Sequence, residues 1–497
     1  MRQVLLVLLA VLTTAAAIPH DRAMRTWWSL TAQLSSDAME GRDTGSPGYD
    51  RAARIVANRL ARAGLVPMGD AGGWLQRLPL VERAVTAADV RVGARRLRFL
   101  HDYSVNPIGL PATLDGTLAY RGYCGAAVLG DVRGRVVICH ASRRPGLPTD
   151  AERTAALRAA GAAGLIAIAD PGFAMEPPRW PFAYARAMRL ATGSTPTGGW
   201  PQLTLNADAL AAVVAGSGYK PAQLIADGSA GAPLPSFDPP GRFAGRFTLA
   251  ARSLTAGNVV GLLPGTDPAL ADQAIVLSAH LDGYGRGEPV DGDAIYNGTL
   301  DDAAYVALIV RLMEERHGRG FARPMIVAIV TGEEKGLLGS AWFVAHPPMP
   351  LARIAADLNL DQLRPIFPLR LLTVHGLRDS TLGDTARAVA ARAGIAVQDD
   401  PEPARGLLRR SDHWNFMRAG VPAVNFVFGY LPGSASERIY RHWYRTGYHK
   451  PQDDLAQPID WRAATDFNRF FGALVAAVAD GGARPSWIKG SPLAPTR

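Results

Sequence analysis

The residues of this chain that can do chemistry cluster where apolar runs end. The run Ala274–Ala279 leads into His280-Leu281-Asp282-Gly283, Met325–Val330 into Thr331-Gly332-Glu333-Glu334, and Ile354–Leu360 into Asp361. Asp301-Asp302 follows Gly298, and Tyr448-His449-Lys450-Pro451 stands late in the chain. If the runs are strands of one open α/β sheet, their carboxyl ends share a rim, which is where such sheets bind ligands. His280, Asp301, Glu334, Asp361 and His449 then converge. Imidazole and carboxylate donors without thiolate suit Zn²⁺, ahead of Mn²⁺ or Co²⁺. Five donors are too many for one tetrahedral catalytic zinc that keeps an open position, but they suit two ions if one carboxylate bridges. Two such ions, about 3.5–4 Å apart, activate water and polarise a carbonyl, so the chemistry indicated is metal-assisted hydrolysis.

Each residue also has a plainer reading. Asp301 alone could cap a helix, Glu333-Glu334 could be a solvated turn, and a lone histidine is more often structural. His20, His101, His140, His317, His346, His375, His413 and His442 take that structural reading. The coincidence of the other groups at strand ends favours a site, because adjacent carboxylates would otherwise only repel one another.

The elements that must hold these residues are legible from periodicity. Strands are expected at Asn258–Leu263, Ala274–Ala279, Met325–Val330, Ile354–Leu360, Leu371–Val374 and Val421–Phe428. Helical stretches at Asp301–Glu315, Leu337–Ala345, Thr381–Ala393 and Asp466–Ala479 separate them. Continuous apolar strands alternating with helices indicate an α/β fold with a mainly parallel mixed sheet covered on both faces. Upstream, Ser46-Pro47-Gly48 opens an amphipathic helix through Ala63 that stops at Gly64. Between residues 110 and 235, short apolar runs alternate with Gly and Pro around an Ala-rich helix near Thr149, the texture of a β-rich inserted subdomain. The expected organisation is a signal at 1–17, the N-terminal part of the catalytic domain at 18–109, an insert at 110–235, the catalytic domain at 236–480 and a loose Pro-rich tail at 481–497.

The 497 residues are 48% hydrophobic and 20% charged, which belongs to a packed globular protein of two or three domains. Net charge is +9, and all but four of the 53 basic residues are Arg. The arginines are spread along the chain, with no aromatic-interleaved basic stretch, so they read as solvated surface and not as a nucleic-acid footprint. Arg2, the apolar run Val4–Leu12 and Ala15-Ala16-Ala17 have the pattern of a secretory signal, expected to be cleaved after Ala17, with an uncleaved anchor as the alternative. The run is shorter than the roughly 20 residues that span a bilayer, and no Cys follows it to carry a lipid. The mature chain is expected to be exported, periplasmic or secreted, without a transmembrane anchor. There Cys124 and Cys139 could pair, closing a loop of about 15 residues and stabilising by about 3 kcal/mol, or remain two thiols. Nothing in the sequence fixes an oligomeric state.

The stretches Ser278-Ala279-His280-Leu281-Asp282, Ile295-Tyr296-Asn297-Gly298 with Leu300-Asp301-Asp302-Ala303, Thr331 to Ser340, Leu358-Asn359-Leu360-Asp361, Ser411-Asp412-His413-Trp414 and Tyr448-His449-Lys450-Pro451 together resemble the di-zinc aminopeptidase and glutamate-carboxypeptidase-like metallopeptidases. That family includes secreted bacterial leucyl-type aminopeptidases and transferrin-receptor relatives. The resemblance covers residues 250–470 and implies a zinc-exopeptidase fold binding two Zn²⁺. It implies that Asp301 bridges, that His280 and Asp361 complete one site, and that Glu334 and His449 complete the other. Glu333 would be the general base, Asp282 would orient the His280 imidazole, and Tyr448 would hydrogen-bond the oxyanion. Residues 110–235 resemble the protease-associated domain inserted in this family near the substrate entrance, which implies a role in access or specificity.

The sequence departs from the family pattern at Asp302, where many members have Asn, at Gln362, where many have Met, and at Tyr305, which is expected to narrow the turn and the pocket. The implied function is an exopeptidase on peptide substrates, foremost an aminopeptidase. Arg405, Arg409 and Arg410 leave carboxypeptidase action open. A receptor without catalysis, or a one-zinc glutaminyl-cyclase-like enzyme, is disfavoured by the complete five-donor set.

Overall fold

Four uninterrupted apolar runs form the centre of the molecule. Met325–Val330, Ala274–His280, Ile354–Leu360 and Ala423–Phe428 lie side by side in that order, all parallel. Every residue in them is buried, as expected of strands covered on both faces. Antiparallel strands flank them: Arg242–Leu263 against Met325–Val330, and Leu371–His375 against Ala423–Phe428, with Ala396–Gln398 outermost. The result is the mainly parallel mixed α/β sheet that the sequence indicates. This computed structural model describes residues 21–142, 144–169, 180–191 and 200–495; the signal expected at 1–17 lies outside them.

Helices cover both faces. On one, Arg22–Leu34, Pro47–Arg62, Ala304–Arg316, Thr381–Arg392 and Trp461–Ala479 build the larger core with Trp27, Val56, Leu308 and Phe471. Ser46 accepts from the Tyr49 amide and Pro47 starts the turn, so the Pro47 helix begins where its capping signal stands. On the other face, Leu338–Ala345 and His413–Arg418 pack Phe343 and Phe416 against Val276 and Ile326. Among the described residues no helix is long and apolar enough to cross a membrane.

Three expectations change. The helix expected from Asp301 starts instead at Ala304, because Thr299–Ala303 is one wide turn in which Asp301 and Asp302 leave helical angles. Tyr305 points into the helix–sheet core, not the pocket: it is fully buried, lies beside Phe467 and donates its hydroxyl to the Phe426 carbonyl at 3.0 Å. Part of the tail expected to be loose is packed: Trp487 and Leu493 rest against the core of Phe343 and Phe416, and Trp487 donates to the Gly420 carbonyl.

The strand Arg242–Leu263 is far longer than its sheet requires. It pairs along its length with Leu75–Val92, and this antiparallel ribbon runs out of the main sheet. At its far end a second core gathers Val90, Tyr103, Leu118, Ile138, Ile166, Leu203 and Phe243. There Thr113–Arg121, Val136–His140, Gly164–Ile168 and Gln202–Leu205 form a parallel sheet, and Cys124 is disulfide-bonded to Cys139.

Candidate metal centre

Parallel strands end together, and the polar residues that follow them meet at one rim. His280 is the last residue of its strand, Asp361 directly follows Ile354–Leu360, and Glu333 and Glu334 lie just past Met325–Val330. Asp301 comes from the wide turn, and His449 from the loop after the helix Ala435–Thr446. His280 Nε2 lies 3.1 Å from Asp301 Oδ1 and 3.7 Å from Asp361 Oδ1. His449 Nε2 lies 3.5 Å from Asp301 Oδ2 and 3.6 Å from Glu334 Oε2. Asp301 thus stands between two donor groups and turns one oxygen to each. Within each of the groups His280/Asp301/Asp361, Asp301/Glu334/His449 and His280/Glu333/Glu334, the candidate donor atoms lie within 4.8 Å of one another.

A separate set of buried polar groups fixes this turn and rim. Asp453 accepts from the Leu300 amide at 2.9 Å and the Asp301 amide at 3.0 Å. Arg42, fully buried, donates to the carbonyls of Leu281, Leu34, Asn297 and Gly298. Gly298 has φ +57, and a Cβ there would lie 2.4 Å from the Asp301 carbonyl oxygen, so only glycine fits the close approach. His280 Nδ1 lies 3.1 Å from the Asp282 carbonyl. A carbonyl only accepts, so Nδ1 carries a proton, and Nε2 is the nitrogen that faces the rim. The Asp282 carboxylate, 3.8 Å from Nδ1, accepts instead from Thr44 and from the amides of Glu333 and Glu334. It therefore holds the Glu-Glu loop, while its backbone carbonyl orients the imidazole.

Charge is concentrated here. Burial opposes ionisation of Asp301, but the imidazoles of His280 and His449 hold its carboxyl well below the usual carboxylate range. Burial pushes Glu334 up to about 8 against the pull of His449, with Asp301 adding repulsion. Burial also drives Glu333 far upward, with Asp361 and Glu334 reinforcing it against His280. Asp301 Oδ2 and Asp361 Oδ1 are buried with no hydrogen-bond partner. Crowded, desolvated carboxylates with unsatisfied oxygens beside imidazole nitrogens fit divalent cations.

A cavity of about 420 Å³ opens on the rim, lined by Asp301, Glu333, Glu334, Asp361, Tyr448 and His449. Tyr448 stacks on the His449 ring, with centroids 3.5 Å apart, and Gln362 bridges the hydroxyls of Tyr448 and Tyr444. Arg405, Arg409 and Arg410 also line the cavity, together with His375, whose structural reading does not account for that position. All five expected ligands and Glu333 are brought together.

The sequence reading missed Arg42, Asp453, Tyr284 and Tyr184. Tyr284 packs on the His449 ring, and Tyr184 Oη lies 3.4 Å from His449 Nδ1. Asp453 lies four residues past His449 and was within reach of a motif-based search; the others carried no signal.

Residues 258–475 match Peptidase family M28. Among solved structures, the chain is similar to an aminopeptidase from Aneurinibacillus sp. strain AM-1, with TM-score 0.60 and 16% identity, over 95% of this chain and 96% of that one. It is also similar to BSAP, a zinc aminopeptidase from Bacillus subtilis, with TM-score 0.59 and 17% identity over 94% and 97%. A peptidase M28 precursor from Shewanella amazonensis gives TM-score 0.57 and 16% identity over 95% and 97%. At these identities the structures share the fold. Among curated proteins none matches this sequence.

Proposed function

The chain carries a peptidase family M28 domain at residues 258–475 and is a metallo-exopeptidase, and from this we propose that it is an exported aminopeptidase working with two zinc ions. His280 and Asp361 would hold one ion, Glu334 and His449 the other, with an oxygen of Asp301 for each. When bound, the ions supply Lewis acidity to the scissile carbonyl and acidify water. The remaining chemistry belongs to the chain. Glu333, beside the rim and made more basic by burial, takes the proton of the attacking water and returns it to the leaving amine. Tyr448 donates its hydroxyl to the developing oxyanion, a contact worth about 2.7–4 kcal/mol where such donors have been removed. Asp282 keeps Glu333 and Glu334 in place through their amides. The acidic rim also suits the free amine of a peptide's N-terminal residue.

The observation that carries this reading is the pair of three-residue donor groups that share Asp301. Residues 110–235 we assign to a protease-associated-like insert within a catalytic unit of 18–109 and 236–480. Tyr184 beside His449 supports a role for that insert in access. The reading is tested by metal analysis of the purified chain beside hydrolysis of aminoacyl and N-blocked substrates. About two zinc ions per chain and cleavage of free-amine substrates are expected. One ion or none, or cleavage of N-blocked substrates alone, overturns it.

A further inference from the structure

The cavity is lined by charge of both signs: the carboxylates of the rim, and Arg364, Arg405, Arg409 and Arg410. Arg364, three residues past Asp361, is 1% exposed, and its Cζ lies 4.6 Å from the ring centroid of Tyr440 and 5.0 Å from that of Tyr444. Its Nε and Nη1 are buried without a hydrogen-bond partner, and among the described residues no carboxylate pairs with it. A guanidinium keeps its proton even when buried. Aromatic faces and a hydrogen bond to the Tyr440 hydroxyl offset part of its desolvation, but they leave Nε and Nη1 without an acceptor. Two unsatisfied N–H groups on a buried cation are set for an anion.

Its neighbours extend the same field. Arg405 is buried over Tyr444 at 5.3 Å and pairs with Glu402. Arg409 lies over Trp414 at 5.3 Å. Arg405, Arg409 and Arg410 also line a second cavity together with Arg144, so that cavity is basic too. A molecule complementary to the first cavity carries both an amine and a carboxylate, and about 420 Å³ is the scale of a small ligand.

We propose that Arg364, together with Arg405 and Arg409, is a carboxylate subsite in the same cavity as the acidic rim, so that the preferred substrates are short peptides bearing a carboxylate. The carboxylate comes either from the side chain of the terminal residue or from the C terminus of a dipeptide; both present the same group to the fork. This deepens the peptidase reading above and rests on it.

Two substrate pairs separate the sources. Glu-anilide against Gln-anilide tests a side-chain carboxylate, and Leu-Ala against Leu-Ala amide tests a terminal one. In one pair the acid is expected to be favoured about tenfold in kcat/KM, chiefly through KM, as charge-assisted hydrogen bonds imply, and the preference should shrink with salt. Arg364→Gln is expected to bring the acid-to-neutral ratio near one. Arg409→Gln, at a less buried position, is expected to lower it in part and serves if the first variant does not fold. Calorimetry of glutarate with the zinc-loaded chain gives a readout apart from turnover: wild type binds and Arg364→Gln does not.

Hydrolysis of both members of both pairs at equal efficiency overturns the subsite and leaves the peptidase reading standing. No hydrolysis of any substrate overturns the peptidase reading, and glutarate binding that depends on Arg364 then still upholds the subsite. Glutarate binding unchanged in the variant overturns it.

Discussion

Glu333 and Asp282 divide the work of the rim between them. Glu333 lies beside His280 and Glu334 without entering the two donor groups that share Asp301. Glu333→Gln is therefore expected to cut kcat by about 10²–10⁴-fold, the usual scale for a general base, with metal content unchanged by elemental analysis; near wild-type turnover refutes the role. Asp282 touches the metal groups only through others, accepting from two loop amides while its carbonyl orients His280. Asp282→Ala is expected to weaken metal affinity about 10–100-fold, measured by competition with a chelating dye; unchanged affinity would mean that the loop is held by other contacts. His280, Glu334 and Asp361 were legible because each ends or follows an apolar run, where the sheet leaves them nowhere else to go, while Asp301 and His449 stand in short motifs of a turn and a loop. Arg42 was not, since a solitary buried polar residue has no period and its partner at Asn297 is remote in sequence. Tyr305 misled for the opposite reason: a bulky residue beside a ligand reads as pocket lining until the helix phase turns it into the core.

The central strands were readable almost to the residue because full burial makes each an unbroken apolar run. The ribbon was not. Leu75–Val92 mixes buried and exposed positions, and its partner Arg242–Leu263 lies about 150 residues away, so neither half announces the other. Glu82 on this ribbon accepts from Arg186 Nε at 2.7 Å and Arg252 Nε at 2.8 Å, and Arg186 also pairs with Asp43. Burial of Glu82 works against its charge, but these arginines hold its carboxyl below the ordinary value of 4.5. A depressed carboxyl contributes stability above its unfolded value and loses it as the pH falls through the folded one. Wild-type stability is accordingly expected to decline below about pH 4.5, and Glu82→Gln to flatten that decline while lowering stability near neutrality. Denaturant titrations across pH 3 to 7 check this, and parallel curves for the two proteins would refute it.

At the scale of the whole chain, the separation of the main sheet's cores from the core at the ribbon's far end, and the bond between Cys124 and Cys139, set which parts stand or fall together. Closing a 15-residue separation is worth about 3 kcal/mol. With both cysteines changed to Ala, amides of Val136–His140 are expected to exchange faster while those of Ala274–His280 keep their protection; uniform loss across both strands would show one cooperative unit. The pairing itself was an open alternative in the sequence, because two cysteines 15 apart are as compatible with two thiols as with a bridge. The first helix has a different dependence. Trp27 donates to the Ala304 carbonyl 277 residues onward, and Leu30, Val56 and Leu60 rest in the same core as Leu308. A polypeptide leaving the ribosome N-terminus first thus carries these greasy faces uncovered until Arg316 has been added, and a nascent chain stalled before that point offers them to chaperones or to other nascent chains.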